Sequence, residues 1–158
     1  MSSAIQRHLK QTRPFNSLEE EVFVGLQLVS DRLMQPWAAH LKEAADISHV
    51  QYNVLRILRG AGQEGLSAGE VGERLITRSP DVTRLIDRLA KRGLVRRQPD
   101  LEDRRAVRIV ITSAGLDTLR EVDRYGHSCL TRALGQVPTE ELATLRSILE
   151  GVLNAVEP

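Results

Sequence analysis

The sequence predicts a mainly α-helical fold carrying one small β-hairpin, and three observations carry that prediction. Two short segments with helical apolar spacing and cap signals lie between Ser67 and Gly93. Two strand-like runs, Leu94–Arg97 and Ala106–Ile111, follow at once, separated by a polar stretch that contains Pro99 and Asp100. Long amphipathic stretches flank this central block on both sides.

Ser67 followed by Glu70 is a capping-box pattern, which predicts a short helix from there to about Leu75. Ile76 to Ser79 form a tight connection. Ser79 is then placed to cap a second helix, with Pro80 at its first position and Gly93 just past its end. Val82, Leu85, Ile86 and Leu89 recur at i, i+3, i+4 and i+7, so one face of this helix is buried. Thr83, Arg84, Asp87, Arg88, Lys91 and Arg92 occupy the remaining surface. Two short helices joined by a few residues, the second rich in arginine, form a helix-turn-helix pattern. The run Ala106–Ile111 is nearly all β-branched, as a half-buried pleated surface requires. With Asp103, Arg104 and Arg105 near its tip, the hairpin turns the motif into a winged helix.

Before this block, residues Ser2 to Lys10 predict a helical turn or two, broken at Pro14. Ser17 and Glu20 are a second capping box, with Glu19, Glu20 and Glu21 at the positive end of a long helix. Leu18, Val22, Leu26, Val29 and Leu33 form its apolar face, and Pro36 is expected to kink or interrupt it before Trp37. Ser48 with Gln51 opens the next helix, which packs Val50, Val54, Leu55 and Leu58 inward and ends at the glycines 60, 62 and 65. After the hairpin, Thr112 caps a helix that Gly135 ends, and Pro138 precedes a last helix carrying Leu142, Leu145, Ile148, Leu149, Val152 and Val156. The expected organisation is therefore N-terminal helices over 1–44, a winged helix over 45–112, and C-terminal helices over 113–158.

Charge is concentrated in the centre. From Arg74 to Arg108 eleven basic residues face five acidic ones, so the segment carries +6 while the whole chain is only +1 and the remainder −5. A local basic surface on a mildly acidic body attracts phosphate. Hydrophobic content of 41% with 27% charged residues suits a soluble globular protein. The start of the chain lacks the apolar core of a signal peptide, and a single cysteine, Cys129, suits a reducing compartment; a cytoplasmic protein without membrane association is expected. Cys129 itself reads as a small core hydrophobe. The histidines 8, 40, 49 and 127 are scattered without ligand spacing, so no metal is expected. There is no nucleophile elbow, no phosphate-cradling glycine loop and no placeable His/Asp/Ser group, which predicts neither an enzyme nor a cofactor.

From Gln51 to Gly115 the chain resembles the MarR-type winged-helix transcriptional regulators. The matching features are the core helix Val50–Leu58, the run Val82 to Leu89, Lys91-Arg92-Gly93-Leu94-Val95, the wing Asp103-Arg104-Arg105, and Ile111-Thr112-Ser113-Ala114-Gly115. The resemblance implies sequence-specific binding of a double-stranded, pseudo-palindromic DNA operator, in a repressor that is a homodimer paired through its first and last helices. The recognition helix, about 80–92, then enters the major groove and the wing, about 97–106, the minor groove.

The DNA-facing residues expected are Thr77, Arg78, Ser79, Pro80, Asp81, Thr83, Arg84, Arg88 and Arg92 around the recognition helix. Arg84 is suited to a phosphate or a guanine edge, and Arg88 and Arg92 to backbone phosphates. Ser79 is a cap first and a phosphate contact second, and Asp81 reads first as a first-turn residue favoured by the helix dipole. At the wing, the resemblance implies that Arg105 reaches the minor groove while Asp103 braces an arginine; Arg104 and Arg105 can exchange roles. The family binds small aromatic or phenolic acids beside the dimerisation helices, which makes Trp37, His40, Tyr52 and Arg56 candidate effector contacts; plain core is the other reading of Trp37 and Tyr52. A winged helix used for protein contact is the alternative function, and it predicts neutral recognition and wing surfaces, unlike the arginines here.

Overall fold

The computed structural model describes residues 3–77, 81–100 and 106–156, with backbone alone at 125 and 127–130. Sequence-based expectations for Arg78, Ser79, Pro80, Asp103, Arg104, Arg105 and the Cys129 side chain lie outside the described residues.

The opening turn α1 (Ala4–His8) is held by a complete capping box between Ser3 and Gln6. The long helix α2 (Leu18–Ala45) starts at Ser17, whose hydroxyl accepts the Glu20 N–H at 3.2 Å. The Glu20 carboxylate, however, accepts from the Asn16 backbone at 2.7 Å and its amide at 2.8 Å rather than from Ser17, so half of the predicted box is redirected. Of the two outcomes expected at Pro36, interruption does not occur: α2 runs through it unbroken. A mid-helix proline costs roughly 3 kcal/mol. Packing of this segment against a later helix, where Trp37 meets Gly126, offsets that loss, because tertiary burial rather than propensity sustains most helices. The helix ends at Asp46, in the left-handed region at φ 51°.

The Ser48–Gln51 box starts α3 (His49–Ala61), and Gly62, at φ 64°, ends it. Its Val54, Leu55 and Leu58 are fully buried. The Ser67–Glu70 box starts α4 (Ala68–Glu73). The next helix, α5 (Val82–Lys91), begins two residues later than Ser79 and Pro80 suggested. Asp81 is its N-cap, accepting the Arg84 N–H at 3.2 Å, since aspartate caps as well as serine. Ile86 and Leu89 are fully buried and Val82 and Leu85 half-buried, as the periodicity requires.

Strands β1 (Val95–Pro99) and β2 (Val107–Ile111) pair antiparallel, Val95 opposite Ile111 and Pro99 opposite Val107, so β1 extends into the stretch expected to turn. Leu66 exchanges two backbone hydrogen bonds with Ile109, adding a third short rung on the far side of β2. Gly65 makes that approach: at φ 66°, a Cβ there would sit 2.4 Å from the Ile109 carbonyl oxygen.

Thr112 caps α6 (Ser113–Leu134), which runs back along α2. One apolar core joins Leu41 of α2, Leu55 and Leu58 of α3, Ile86 and Leu89 of α5, and Leu119 and Val122 of α6. Burying each such leucine or isoleucine contributes roughly 2 kcal/mol. The last helix, α7 (Thr139–Val156), makes only sparse contact with the rest of the described chain. Its Leu145, Ile148, Leu149, Val152, Leu153 and Val156 are exposed, as are Leu18, Val22, Phe23 and Val29 of α2. Among the described residues no helix is long and apolar enough to cross a membrane.

Candidate nucleic-acid interface and ligand cleft

The buried face of α5 dictates what its outer face shows. With Ile86 and Leu89 turned inward, Thr83, Arg84, Arg88 and Lys91 are all exposed, and Thr77 is exposed in the turn before them. Arg84 lies against Asp81 at 3.1 Å, yet its side chain is 79% exposed. Such an exposed pair is worth little and exchanges readily for a phosphate or base partner. Arg88 and Lys91 form no ion pair among the described residues.

Arg92 is different. Its guanidinium donates to the Asp46 carbonyl at 2.7 Å and the Ala45 carbonyl at 2.8 Å, the last turn of α2. Helix ends leave carbonyls without donors, and the planar fork of arginine satisfies two neighbours at once. The structure thus commits to α2 a side chain that the sequence assigned to phosphate.

The base of the hairpin is braced by charges that sequence reasoning did not use. Arg97 of β1 pairs with Asp87 of α5 at 2.6 Å. Arg108 of β2 bonds Asp100 and also Glu70 of α4, at 3.1 Å. Ser67 and Arg108 together hold the Glu70 carboxyl below its usual pKa, the backbone bond from Ser67 being the larger cause, so it stays ionised. These pairs link the hairpin to α4 and α5.

A second feature lies where α2, α3 and α6 meet, a cleft of about 560 Å³. Leu33, Met34 and Trp37 line one side, Tyr52, Arg56 and Arg59 another, and Asp123 and Gly126 of α6 the third. The Trp37 and Tyr52 rings meet edge-on with centroids 5.1 Å apart, and the Arg56 guanidinium lies 5.8 Å from the Tyr52 ring centre, within cation–π range. A Cβ on Gly126 would approach Trp37 Cζ3 to 2.6 Å, so glycine makes room for the indole.

Tyr52 donates to Asp123 Oδ1 at 2.8 Å and Arg59 donates to Oδ2 at 2.7 Å. Burial opposes ionisation of Asp123, but the bonds from Arg59 and Tyr52 outweigh it and hold the carboxyl below its usual range. Burial, then the hydrogen bond to Asp123, pushes the Tyr52 phenol up to about 12. Burial lowers the His49 pKa at the edge of the cleft, favouring the neutral ring.

Three of the four effector candidates, Trp37, Tyr52 and Arg56, therefore share one cleft. His40 does not line it: it sits beside Trp37, ring centroids 5.7 Å apart, with Nε2 3.0 Å from the Val122 carbonyl oxygen. It faces α6 because it follows Trp37 by three residues, one turn along the packed side of α2. Arg59 and Asp123 were missed, although Tyr52, Arg56 and Arg59 stand at i, i+4 and i+7, a second stripe opposite the apolar one.

Residues 47–107 match the family model described as MarR family. The HTH-type transcriptional regulator PrsX of Escherichia coli is 34% identical over 112 residues, covering 71% of this chain and 68% of that protein. The crystal structure of a MarR transcription factor from Planctomyces limnophilus is 36% identical and superposes with a TM-score of 0.63, over 87% of this chain and 98% of that one. A Streptomyces coelicolor MarR family transcriptional regulator, solved in complex with DNA, shares the fold at a TM-score of 0.79 with 24% identity, over 94% of each chain. Winged hairpin, exposed cationic helix and these likenesses agree, and the chain belongs to the MarR family of transcriptional regulators.

Proposed function

We propose that this regulator is a cytoplasmic homodimer that binds a pseudo-palindromic operator duplex and represses transcription, with no catalytic step of its own. The observation that carries the reading is α5, buried through Ile86 and Leu89 and exposing Thr83, Arg84, Arg88 and Lys91 together. A helix of this shape fits the major groove, and two of them related by a two-fold axis reach successive grooves about 34–36 Å apart. Thr77, Arg78, Ser79, Pro80, Asp81, Thr83, Arg84 and Arg88 form the groove-facing set in this reading. Asp103, Arg104 and Arg105 form the wing set, directed at a narrow minor groove that attracts arginine. Arg92 leaves the set, being engaged with α2.

Dimerisation through α1, α7 and the first half of α2 explains the exposed apolar faces of α7 and α2, which are costly to leave in water. The arms over 1–44 and 113–158 then flank the winged unit over 45–112. The cleft between α2, α3 and α6 suits a small aromatic or phenolic acid, with Trp37 and Tyr52 as apolar walls and Arg56 as cation.

Fluorescence anisotropy with a duplex from the region upstream of the gene tests the central reading. Nanomolar binding, much weaker binding to a scrambled duplex and a steep salt slope are expected. Equal affinity for both duplexes at every salt concentration overturns sequence-specific recognition. In the same samples, light scattering should give twice the chain mass, and Leu149→Glu should halve it.

A further inference from the structure

We propose that Asp123 is a built-in anion that competes with ligand for Arg59, so that the cleft selects aromatic acids able to take Arg59 away from it. This rests on the reading of the cleft as a ligand site and adds what that reading lacks, a rule for which ligands enter and what they break.

The observations are geometric. Arg59 and Tyr52 project from α3 and converge on the two oxygens of one carboxylate on α6, at 2.7 and 2.8 Å. Both partners of the ion pair border the cleft and remain partly open to solvent, Arg59 at 40% and Asp123 at 36%. Arg56 stands over the Tyr52 ring on the same side. Among the described residues the cleft therefore holds two guanidinium groups against one carboxylate, a net positive site between aromatic walls. A ligand carboxylate matches the bidentate donor geometry that Asp123 now uses. A neutral ligand of the same shape gains the aromatic contact but nothing from Arg59.

Because Asp123 is the described polar tie from α6 to the α3 stripe, a carboxylate that replaces it cuts that tie. Tyr52 keeps its hydroxyl proton throughout and turns to the new acceptor or to water.

The chain's single tryptophan, Trp37, lies in the cleft and reports occupancy by its fluorescence. Salicylate and its neutral analogue salicylamide are titrated into the parent, Asp123→Asn, Arg59→Gln and the double variant. Asparagine keeps an acceptor for Tyr52 and removes only the charge, and thermal melting of each variant checks that it is folded. Competition for a partly exposed pair predicts that Asp123→Asn tightens salicylate about fivefold. Salicylamide should change less than twofold. Arg59→Gln should weaken salicylate, and in that background Asp123→Asn should no longer tighten it, because the contested cation is gone.

Equal tightening with and without Arg59 would mean a general field effect and would overturn competition. Unchanged salicylate affinity in Asp123→Asn would overturn it too, while leaving the cleft as a ligand site. A Trp37 signal unmoved by either compound in every protein would overturn both readings.

Discussion

Replacing Arg92 separates two roles that sequence alone could not. As a phosphate contact it would add affinity for DNA and nothing to folding. As observed, it donates two hydrogen bonds to the terminal carbonyls of α2 from the end of α5. Bonds from charged donors contribute about 1.5–3 kcal/mol when enclosed. This guanidinium is exposed, so screening reduces the pair of bonds to about 1 kcal/mol. A cation at a helix C-terminus adds about 0.3–1 kcal/mol. Arg92→Ala should therefore cost about 1–2 kcal/mol, or a fall of roughly 3–6 °C in melting temperature for a chain of this size. Melting must be compared at one protein concentration, because association shifts the midpoint. Arg92→Lys keeps the charge but not the fork and should lose about half as much. The salt slope of DNA binding should stay the same in both, whereas Arg88→Ala should flatten it by about 0.9 per protomer, one phosphate contact. Unchanged melting with a flatter slope in Arg92→Ala would refute the structural role and restore the phosphate contact.

Two further outcomes follow from single atoms. Gly65→Ala places a methyl 2.4 Å from the Ile109 carbonyl at a backbone angle of φ 66°; left-handed strain of about 1–2 kcal/mol plus the clash should cost at least ~2 kcal/mol, read as a lower urea midpoint. The raised Tyr52 pKa of about 12 means that the fold favours the neutral phenol, so this contribution to stability is complete below pH 10 and is lost as pH rises toward 12. In a Tyr125→Phe background, ultraviolet phenolate absorbance should appear near pH 12 in the folded protein and near 10 in urea; coincident curves would show that Tyr52 is not enclosed with Asp123.

Much of the fold was legible because local signals agreed with the global plan. Ser48 and Ser67 each form the box that the accompanying glutamine or glutamate implies, and the apolar spacing from Val82 to Leu89 marks the buried face of α5 correctly. Where two signals competed, sequence could not rank them. Ser79 and Asp81 are both good caps, two residues apart, and the Arg84 N–H bonded to Asp81 decides where α5 starts. Pro36 carries a strong local penalty, and only the contact between Trp37 and Gly126, some ninety residues apart in the chain, shows what outweighs it. Long-range partners were likewise hidden at Arg92 and Arg59: an arginine is equally suited to phosphate, carbonyl or carboxylate, and its partner is set by packing.

The two arginines hold the winged unit to the long helices at opposite ends. Arg92 joins the end of α5 to α2, and Arg59 joins α3 to α6, with Thr112 bonding the Gly93 carbonyl at 2.7 Å between them. A ligand shifts this arrangement only by the ratio of its affinities for the tied and untied states. A preference of about fivefold per cleft, squared over the two clefts of the proposed dimer, would move the balance about 25-fold, far short of the roughly 10⁴-fold that a complete switch requires. On the proposed function, exchange at Asp123 alone should therefore yield only graded release of DNA, effective when the operator is held near its threshold. A sharper switch needs the second tie to yield as well, and Arg92 is where that coupling would have to be read: in Arg92→Ala, where one tie is already absent, the same concentration of salicylate should displace more DNA than from the parent, and equal displacement would mean that the two ties act independently.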